Sequence, residues 1–199
     1  LGNEAGRAIY DGHLLVSAKG KINRESERLR FADTDLIWAD IDIDDVRSSR
    51  TAIASFRSDL TEDESEWVPS AQTLKVVSQP ELATPKSASW ETSPQLKFEE
   101  FSRAVALGLY DYVRKSRSKG FVVSLSGGAD SSAVSVLCYL AYTWAQKGYG
   151  EHSYFREPFS RTLTTLYQKT KQSGPVTQQA AAAVANELGA THFELDVET

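Results

Sequence analysis

Apolar and polar residues follow three different patterns along the chain. In residues 1–57, the mostly apolar run from His13 to Ala18 is followed by Gly20 and a second short run, which predicts a β-hairpin with Gly20 in the turn. Apolar and acidic residues then alternate from Leu36 to Val46, and a period of two predicts a half-buried strand. The first region is therefore expected to be mainly β structure.

Residues 58–94 contain four of the six prolines of the chain, set among serine, threonine and acidic residues. This composition predicts a linker that runs over a surface and has at most short ordered pieces. The stretch Leu74–Val77 is a candidate for one short strand within it.

From residue 95 onward, helical and strand patterns alternate. The predicted elements are a helix with the apolar face Phe98, Phe101, Val105, Leu109, Tyr112 and Val113 that stops at Gly120, a buried strand Phe121–Leu125, an amphipathic helix from near Ser131 through Trp144, a strand Thr162–Tyr167, a helix Pro175–Leu188 closed by Gly189, and a strand Thr191–Val197. Strands that alternate with helices predict an α/β fold with a parallel sheet and right-handed crossovers.

Composition narrows the class of protein. The 199 residues are 41% hydrophobic and 25% charged, which is typical of globular domains and not of disordered or collagen-like chains. A net charge of -5 argues against a dedicated nucleic-acid binder. The single cysteine, Cys138, cannot form an internal disulfide, so we expect a reducing, cytoplasmic location. The most apolar stretch, Ala133–Ala145, is too short to cross a bilayer, so no membrane partner is expected.

The strongest chemical signal is a loop between a predicted strand and a predicted helix. Its residues are Ser124, Leu125, Ser126, Gly127, Gly128, Ala129, Asp130 and Ser131. Adjacent glycines allow backbone N–H groups to approach an anion, and the helix that follows adds free N–H groups and the positive end of its dipole. The hydroxyls of Ser126, Ser131 and Ser132 are further donors. Asp130 would repel a bare phosphate, so its presence indicates a bridging Mg²⁺ ion.

Other phosphate-binding motifs do not match this loop. A Walker loop requires a lysine before the Ser or Thr, and no lysine lies between Ser124 and Lys147. A dinucleotide fingerprint requires three spaced glycines, whereas only Gly127 and Gly128 are present. The remaining alternative without chemistry is a tight turn followed by a capped helix.

The loop resembles the Ser-Gly-Gly-x-Asp-Ser signature of the PP-loop ATP pyrophosphatases. These enzymes cleave ATP between the α and β phosphates and transfer AMP to an acceptor. The resemblance implies that Ser124–Ser131 would hold the pyrophosphate part of ATP and that Asp130 would help to bind Mg²⁺. It implies no protein nucleophile, because catalysis consists of positioning and charge neutralisation.

Segments on both sides of the loop resemble the glutamine-dependent NAD⁺ synthetases. Residues 1–20 and the run Trp38–Asp44 look like the late part of a nitrilase-type hydrolase domain, and residues 101–128 look like the opening of the synthetase domain. The implied architecture is the end of a nitrilase-like α-β-β-α sandwich in residues 1–57, a linker in 58–94, and the N-terminal part of a Rossmann-like PP-loop domain in 95–199. Since the chain also lacks methionine, we expect it to be a fragment of a longer enzyme.

The reaction implied by this resemblance is the ATP-dependent amidation of deamido-NAD⁺ to NAD⁺ through an adenylated intermediate, with ammonia from glutamine. The implied partners are these substrates and, in the full-length enzyme, further copies of the same chain. The Glu, Lys and Cys triad of nitrilase-type domains lies upstream of the matched segment, so no amidase residue is assigned. Cys138 follows the loop and is expected to be a buried core thiol.

Two other functions remain open from the sequence. One is a different PP-loop adenylating ligase, such as a tRNA-modifying enzyme, because the loop indicates ATP and adenylation but not the acceptor. The other is a nucleotide-binding module without catalytic activity.

Overall fold

The structure is a computed structural model that describes residues 2–4, 8–53 and 88–197. The predicted strand Leu74–Val77 lies outside the described residues. The chain divides into two units. We call residues 14–26 and 36–86 the hairpin unit, and residues 1–13, 27–35 and 87–199 the sheet unit.

Short strands precede a series of helices and strands along the chain. In chain order, the elements are β1 (Gly2–Glu4), β2 (Ala8–Tyr10), β3 (Leu15–Ala18), β4 (Lys21–Glu25), α1 (Ile43–Thr51), a 3-10 turn (Ser89–Thr92), α2 (Leu96–Ser116), β5 (Phe121–Ser124), α3 (Ala129–Tyr149), a second 3-10 turn (Gly150–His152), α4 (Phe159–Thr162), β6 (Leu163–Lys169), α5 (Pro175–Leu188) and β7 (Thr191–Asp196). None of the helices in the described ranges has the length and hydropathy needed to span a membrane.

The hairpin unit contains the hairpin that the sequence predicts. Strands β3 and β4 pair antiparallel, with Ala18 opposite Lys21. Lys19 and Gly20 form the turn, and both have positive φ (55° and 74°). Two central residues with positive φ match the twist of the flanking strands, and glycine takes this conformation without steric strain. The prediction of Gly20 in the turn is confirmed.

The predicted strand from Leu36 to Val46 is wrong. The structure has irregular backbone up to Asp42, followed by helix α1. The carboxylate of Asp42 accepts hydrogen bonds from the N–H groups of Asp44 (2.9 Å) and Asp45 (3.0 Å). An aspartate in this capping position stabilises the start of a helix, and this local interaction competes with extended structure. Leu36 is 79% exposed rather than half-buried.

The sheet unit contains a three-stranded parallel sheet in the order β5-β6-β7. Phe121 lies opposite Leu163, and Thr164 lies opposite Thr191. Helix α3 joins β5 to β6, and α5 joins β6 to β7. Helix α5 ends at Gly189, which has a φ of 70°, as the sequence predicts. The predicted parallel α/β arrangement is confirmed.

Helix α2 presents a different face to the core from the one predicted. Phe98 and Phe101 are 67% and 62% exposed, whereas Leu107 and Tyr110 are buried against α3 and its neighbours. The apolar residues of α2 cover more than one face, so periodicity alone does not show which face packs. Of the predicted face, only Val113 is fully buried.

The end of α2 also differs from the prediction. The helix stops at Ser116 because Arg117 takes a left-handed conformation (φ 57°) and the Ser118 N–H donates to the carbonyl of Val113 (3.0 Å). Gly120 does not end the helix. A Cβ atom at Gly120 would lie 2.1 Å from the carbonyl oxygen of Thr162, so glycine is required there by the close approach of the two chain segments.

An aromatic cluster packs around the carboxyl-terminal end of α3. Phe31 lies 5.7 Å from Tyr110 and 6.2 Å from Trp144, measured between ring centroids. A Cβ atom at Gly148 of α3 would lie 2.2 Å from the carbonyl oxygen of Phe31. Leu29 and Phe31, the buried residues of segment 27–35, are therefore part of the core of the sheet unit, although they lie far from α3 in the sequence.

One described piece of the predicted linker is also ordered against this core. Trp90, in the turn Ser89–Thr92, is buried. The guanidinium group of Arg28 lies 5.2 Å from the Trp90 ring, and that of Arg103 lies 5.0 Å from it and 4.7 Å from the ring of Trp144. These cation–π contacts attach the end of the linker to α2 and α3.

Candidate functional site

The glycine–serine loop begins at the carboxyl end of β5, the edge of a parallel sheet at which ligands bind. Leu125 fixes its start, since its side chain is fully buried and its N–H donates to the carbonyl of Leu166 in β6 (2.8 Å). By contrast, Ser126, Gly128 and Asp130 are exposed. The loop therefore has one anchored residue and several polar groups open to solvent.

Serine side chains organise the interior of the loop. The Ser131 hydroxyl accepts a hydrogen bond from the Ser126 N–H (3.2 Å), and the two hydroxyl oxygens lie 3.1 Å apart. The Ser132 hydroxyl donates to the carbonyl of Gly128 (2.8 Å), and the Ser131 hydroxyl also donates to this carbonyl (3.3 Å). Of the three predicted hydroxyl donors, Ser126 and Ser131 therefore face each other across the loop, whereas Ser132 bonds only the Gly128 carbonyl among the loop residues.

Gly127 is required for two independent reasons. Its φ of 78° lies in the region that favours glycine. In addition, a Cβ atom at this position would lie 2.1 Å from the carbonyl oxygen of Thr177, in the first turn of α5. The loop therefore packs directly against the start of a second helix.

Two helices begin beside this loop without a capping side chain. Helix α3 starts at Ala129, two residues earlier than predicted, and its cap residue is Gly128. Its first bond runs from the Ser132 N–H to the carbonyl of Gly128 (3.2 Å), so the N–H groups of residues 129–131 have no acceptor within the helix. Helix α5 starts after Gly174, also without a side-chain cap. Backbone donors and two positive dipole ends suit a ligand with several phosphate groups.

Asp130 lies in the exposed first turn of α3. A carboxylate there is stabilised by the helix dipole even without a ligand. Within the described ranges, no group of three or more His, Cys, Asp or Glu side chains could hold a metal ion. One carboxylate together with phosphate oxygens and water is nevertheless a common way to bind Mg²⁺, so the donor set at Asp130 fits this ion when a phosphate ligand is present.

The structure adds residues that sequence patterns did not identify. Gln168, at the end of β6, accepts a hydrogen bond from the Ser124 hydroxyl (3.1 Å). Tyr167 and Thr177 form a hydrogen bond between their hydroxyl oxygens (2.9 Å). The signal that could have found Gln168 is its position, because the carboxyl ends of neighbouring parallel strands meet at one edge of the sheet.

Cys138 lies in the packed part of α3, away from the loop. Burial leaves the thiol 1% exposed and raises its pKa to about 12. A thiol in this environment stays protonated at neutral pH and is a poor nucleophile. The prediction of a buried core thiol is confirmed.

Comparisons with known proteins show what the chain is similar to. Residues 101–199 match the family model described as NAD synthase. Glutamine-dependent NAD(+) synthetase from Mus musculus is 28% identical and aligns with 100% of this chain, and the Homo sapiens protein is 28% identical over 99% of it. The chain spans about 30% of the length of these curated relatives.

A solved structure is similar over nearly the whole chain. It is a glutamine-dependent NAD(+) synthetase from Cytophaga hutchinsonii, with 32% sequence identity and a TM-score of 0.66. The match covers 98% of this chain and 29% of that protein. The likeness therefore extends beyond residues 101–199.

Proposed function

We propose that the protein amidates deamido-NAD⁺ to NAD⁺ at the expense of ATP, because residues 101–199 match the NAD synthase family model. Glutamine-dependent relatives align with the full chain, which supports glutamine as the source of ammonia. We further propose that residues 1–57 are the end of a nitrilase-like amidase domain, that 58–94 are a linker, and that 95–199 are the first part of the PP-loop domain. This chain would then be one portion of the enzyme.

The proposed chemistry begins with attack of the nicotinate carboxylate on the α-phosphate of ATP. The bond between the α and β phosphates breaks, pyrophosphate leaves, and ammonia then displaces AMP from the adenylated intermediate. Negative charge develops on the leaving pyrophosphate, so the protein accelerates this step by placing hydrogen-bond donors around it.

The observation that carries the proposal is the loop Ser124–Ser131 between two uncapped helix N-termini. The N–H groups of residues 129–131 and the hydroxyls of Ser126 and Ser131 would hold the pyrophosphate part of ATP. Asp130 would hold Mg²⁺ together with phosphate oxygens, and the ion would neutralise part of the phosphate charge. Of the remaining loop residues, Leu125 and Gly127 would fix the backbone, and Ser124 and Gly128 would complete the loop on either side of them.

The test is Asp130→Ala in the full-length enzyme. We expect ATP-dependent NAD⁺ formation to fall by at least about 100-fold, the size of loss typical for one electrostatic contact to a transition state, while glutamine hydrolysis survives. The matched control is Asp44→Ala, which removes an exposed carboxylate from the first turn of α1. Unchanged NAD⁺ formation in Asp130→Ala would refute the proposed role of this residue.

The acceptor can be tested in the same assay. Pyrophosphate release that requires deamido-NAD⁺ supports the proposed reaction, whereas release with another acceptor alone favours a different PP-loop ligase. The cytoplasmic location and the homo-oligomeric state stay predictions, and size-exclusion chromatography with light scattering of the full-length enzyme tests the second.

A further inference from the structure

Gly127 packs against the first turn of α5. The carbonyl oxygen of Thr177 occupies the space that a Cβ atom of Gly127 would need. Any movement of this carbonyl therefore moves the Gly127 backbone or leaves a gap beside it. The position of Thr177 matters to the loop even though Thr177 is not part of it.

A chain of hydrogen bonds holds Thr177 in place. Its hydroxyl donates to the carbonyl of Gly174 (3.0 Å) and lies 2.9 Å from the Tyr167 hydroxyl. A threonine hydroxyl has one hydrogen, which is used toward Gly174, so Tyr167 is the donor to Thr177. The order of donation is Tyr167 to Thr177 to Gly174.

Tyr167 is itself firmly placed. It lies in β6, is 3% exposed, and forms one buried cluster with Leu125, Ala181 and Ala185. Leu125 is the anchored residue near the start of the loop, and the two alanines belong to α5. The Tyr167 ring therefore packs in the same cluster as Leu125 of the loop, while its hydroxyl is hydrogen-bonded to Thr177 in the first turn of α5.

We propose that Tyr167 and Thr177 are positioning residues for the loop, and that their hydrogen bond sets where the Gly127 backbone stands relative to the leaving pyrophosphate. This inference rests on the proposed function, because it assigns the residues a role in ATP cleavage. Neither residue contacts the reacting atoms in this scheme. Their effect passes through the Thr177 carbonyl to the backbone donors of the loop.

The experiment compares Tyr167→Phe and Thr177→Val in the full-length enzyme, with steady-state kinetics in ATP. Tyr167→Phe loses the bond between the two side chains, and Thr177→Val loses this bond and the one to Gly174. We expect kcat to fall about tenfold in each while KM for ATP changes by less than about twofold. The loss falls on kcat because the donors act on charge that develops as the bond breaks. Thr177→Ser keeps the hydroxyl and should restore kcat to near the wild-type value.

Two controls separate positioning from general stability. Tyr142→Phe removes a hydroxyl that donates to the carbonyl of Glu157 (3.3 Å) in another part of the sheet unit, and it should leave kcat unchanged. The double variant Tyr167→Phe/Thr177→Val should be no slower than Thr177→Val alone, because Thr177→Val already lacks the bond between the two side chains. Losses that multiply in the double variant would overturn the proposal.

The results for Tyr167→Phe and Asp130→Ala together separate the two proposals. If Asp130→Ala loses ATP cleavage and Tyr167→Phe keeps wild-type kcat, only the positioning role is wrong. If Asp130→Ala keeps ATP cleavage, the proposed role of Asp130 is wrong. If the wild-type enzyme releases no pyrophosphate with deamido-NAD⁺, the proposed function itself is wrong. Both proposals are supported if kcat is reduced in Asp130→Ala, Tyr167→Phe and Thr177→Val and is near the wild-type value in Thr177→Ser.

Discussion

The amino-terminal end of α3 carries an open loop of glycines and serines, whereas its carboxyl-terminal end is packed among aromatic rings. At the first end, the N–H groups of residues 129–131 have no acceptor within the helix, and Asp130 is exposed. At the second end, Phe31 covers Gly148 and Trp144. One helix thus has an end suited to binding and an end that is held by packing.

This difference shows how the sheet unit can leave backbone N–H groups without acceptors at the amino-terminal end of α3. Open donors and two adjacent glycines, which lose much conformational freedom on folding, make a loop less stable by themselves. The loop is held instead by its buried neighbours Leu125 and Tyr167, and α3 is held at its other end by residues 27–35 and the turn that contains Trp90. We expect changes at the two ends to affect different properties of the enzyme.

The largest effect on stability is expected for Phe31→Ala. Removing a buried phenyl ring leaves a cavity and lowers the free energy of unfolding by about 3–5 kcal/mol. Hydrogen exchange followed by mass spectrometry on the full-length enzyme should show faster exchange in the second half of α3, with kcat of the folded enzyme unchanged. A loss of kcat without faster exchange would contradict the separation of the two ends.

A smaller, pH-dependent effect is expected for Cys138, midway along α3. In the folded protein, the pKa of Cys138 is about 12, above its ordinary value of 9.0. Above pH 9.0 the unfolded chain therefore binds fewer protons than the folded one. This thiol therefore adds stability below pH 9.0 that is lost as the pH rises towards about 12, at about 1.4 kcal/mol per pH unit.

The measurement is urea unfolding of wild type and Cys138→Ala at pH about 8 and about 10. The variant should lose less stability between these values than the wild type does. Tyr149, whose pKa burial raises to about 12, and Tyr110, whose pKa burial also raises, remain in both proteins and contribute to the residual slope. Equal slopes in the two proteins would show that Cys138 does not titrate as a buried thiol.

Local signals explain what the sequence could predict. The loop Ser124–Ser131, the hairpin turn at Gly20 and the limits of α5 are each marked by neighbouring glycine, proline or serine residues. The structure has a loop, a turn and a helix at the positions that these residues predict. Glycine at position 127 was also expected from its role near an anion.

The remaining features depend on contacts between distant residues. A strand requires a paired neighbour, and the alternation from Leu36 to Val46 does not show whether one is present. In the structure, the Asp42 cap stabilises a helix that begins at Ile43. Gly120 and Gly127 are required by the carbonyls of Thr162 and Thr177, which lie some 40 to 50 positions later in the sequence. The packed face of α2 likewise depends on α3 and Phe31. Sequence reasoning therefore found the loop but not the residues that hold it.

The most direct test of the binding end of α3 is the identity of the nucleotide products. The full-length enzyme would be incubated with ATP, Mg²⁺, deamido-NAD⁺ and glutamine, and the products would be separated by ion-exchange chromatography. Cleavage at the loop between the α and β phosphates predicts AMP and pyrophosphate in amounts equal to the NAD⁺ formed, with almost none of them in Asp130→Ala. Formation of ADP and inorganic phosphate would contradict it.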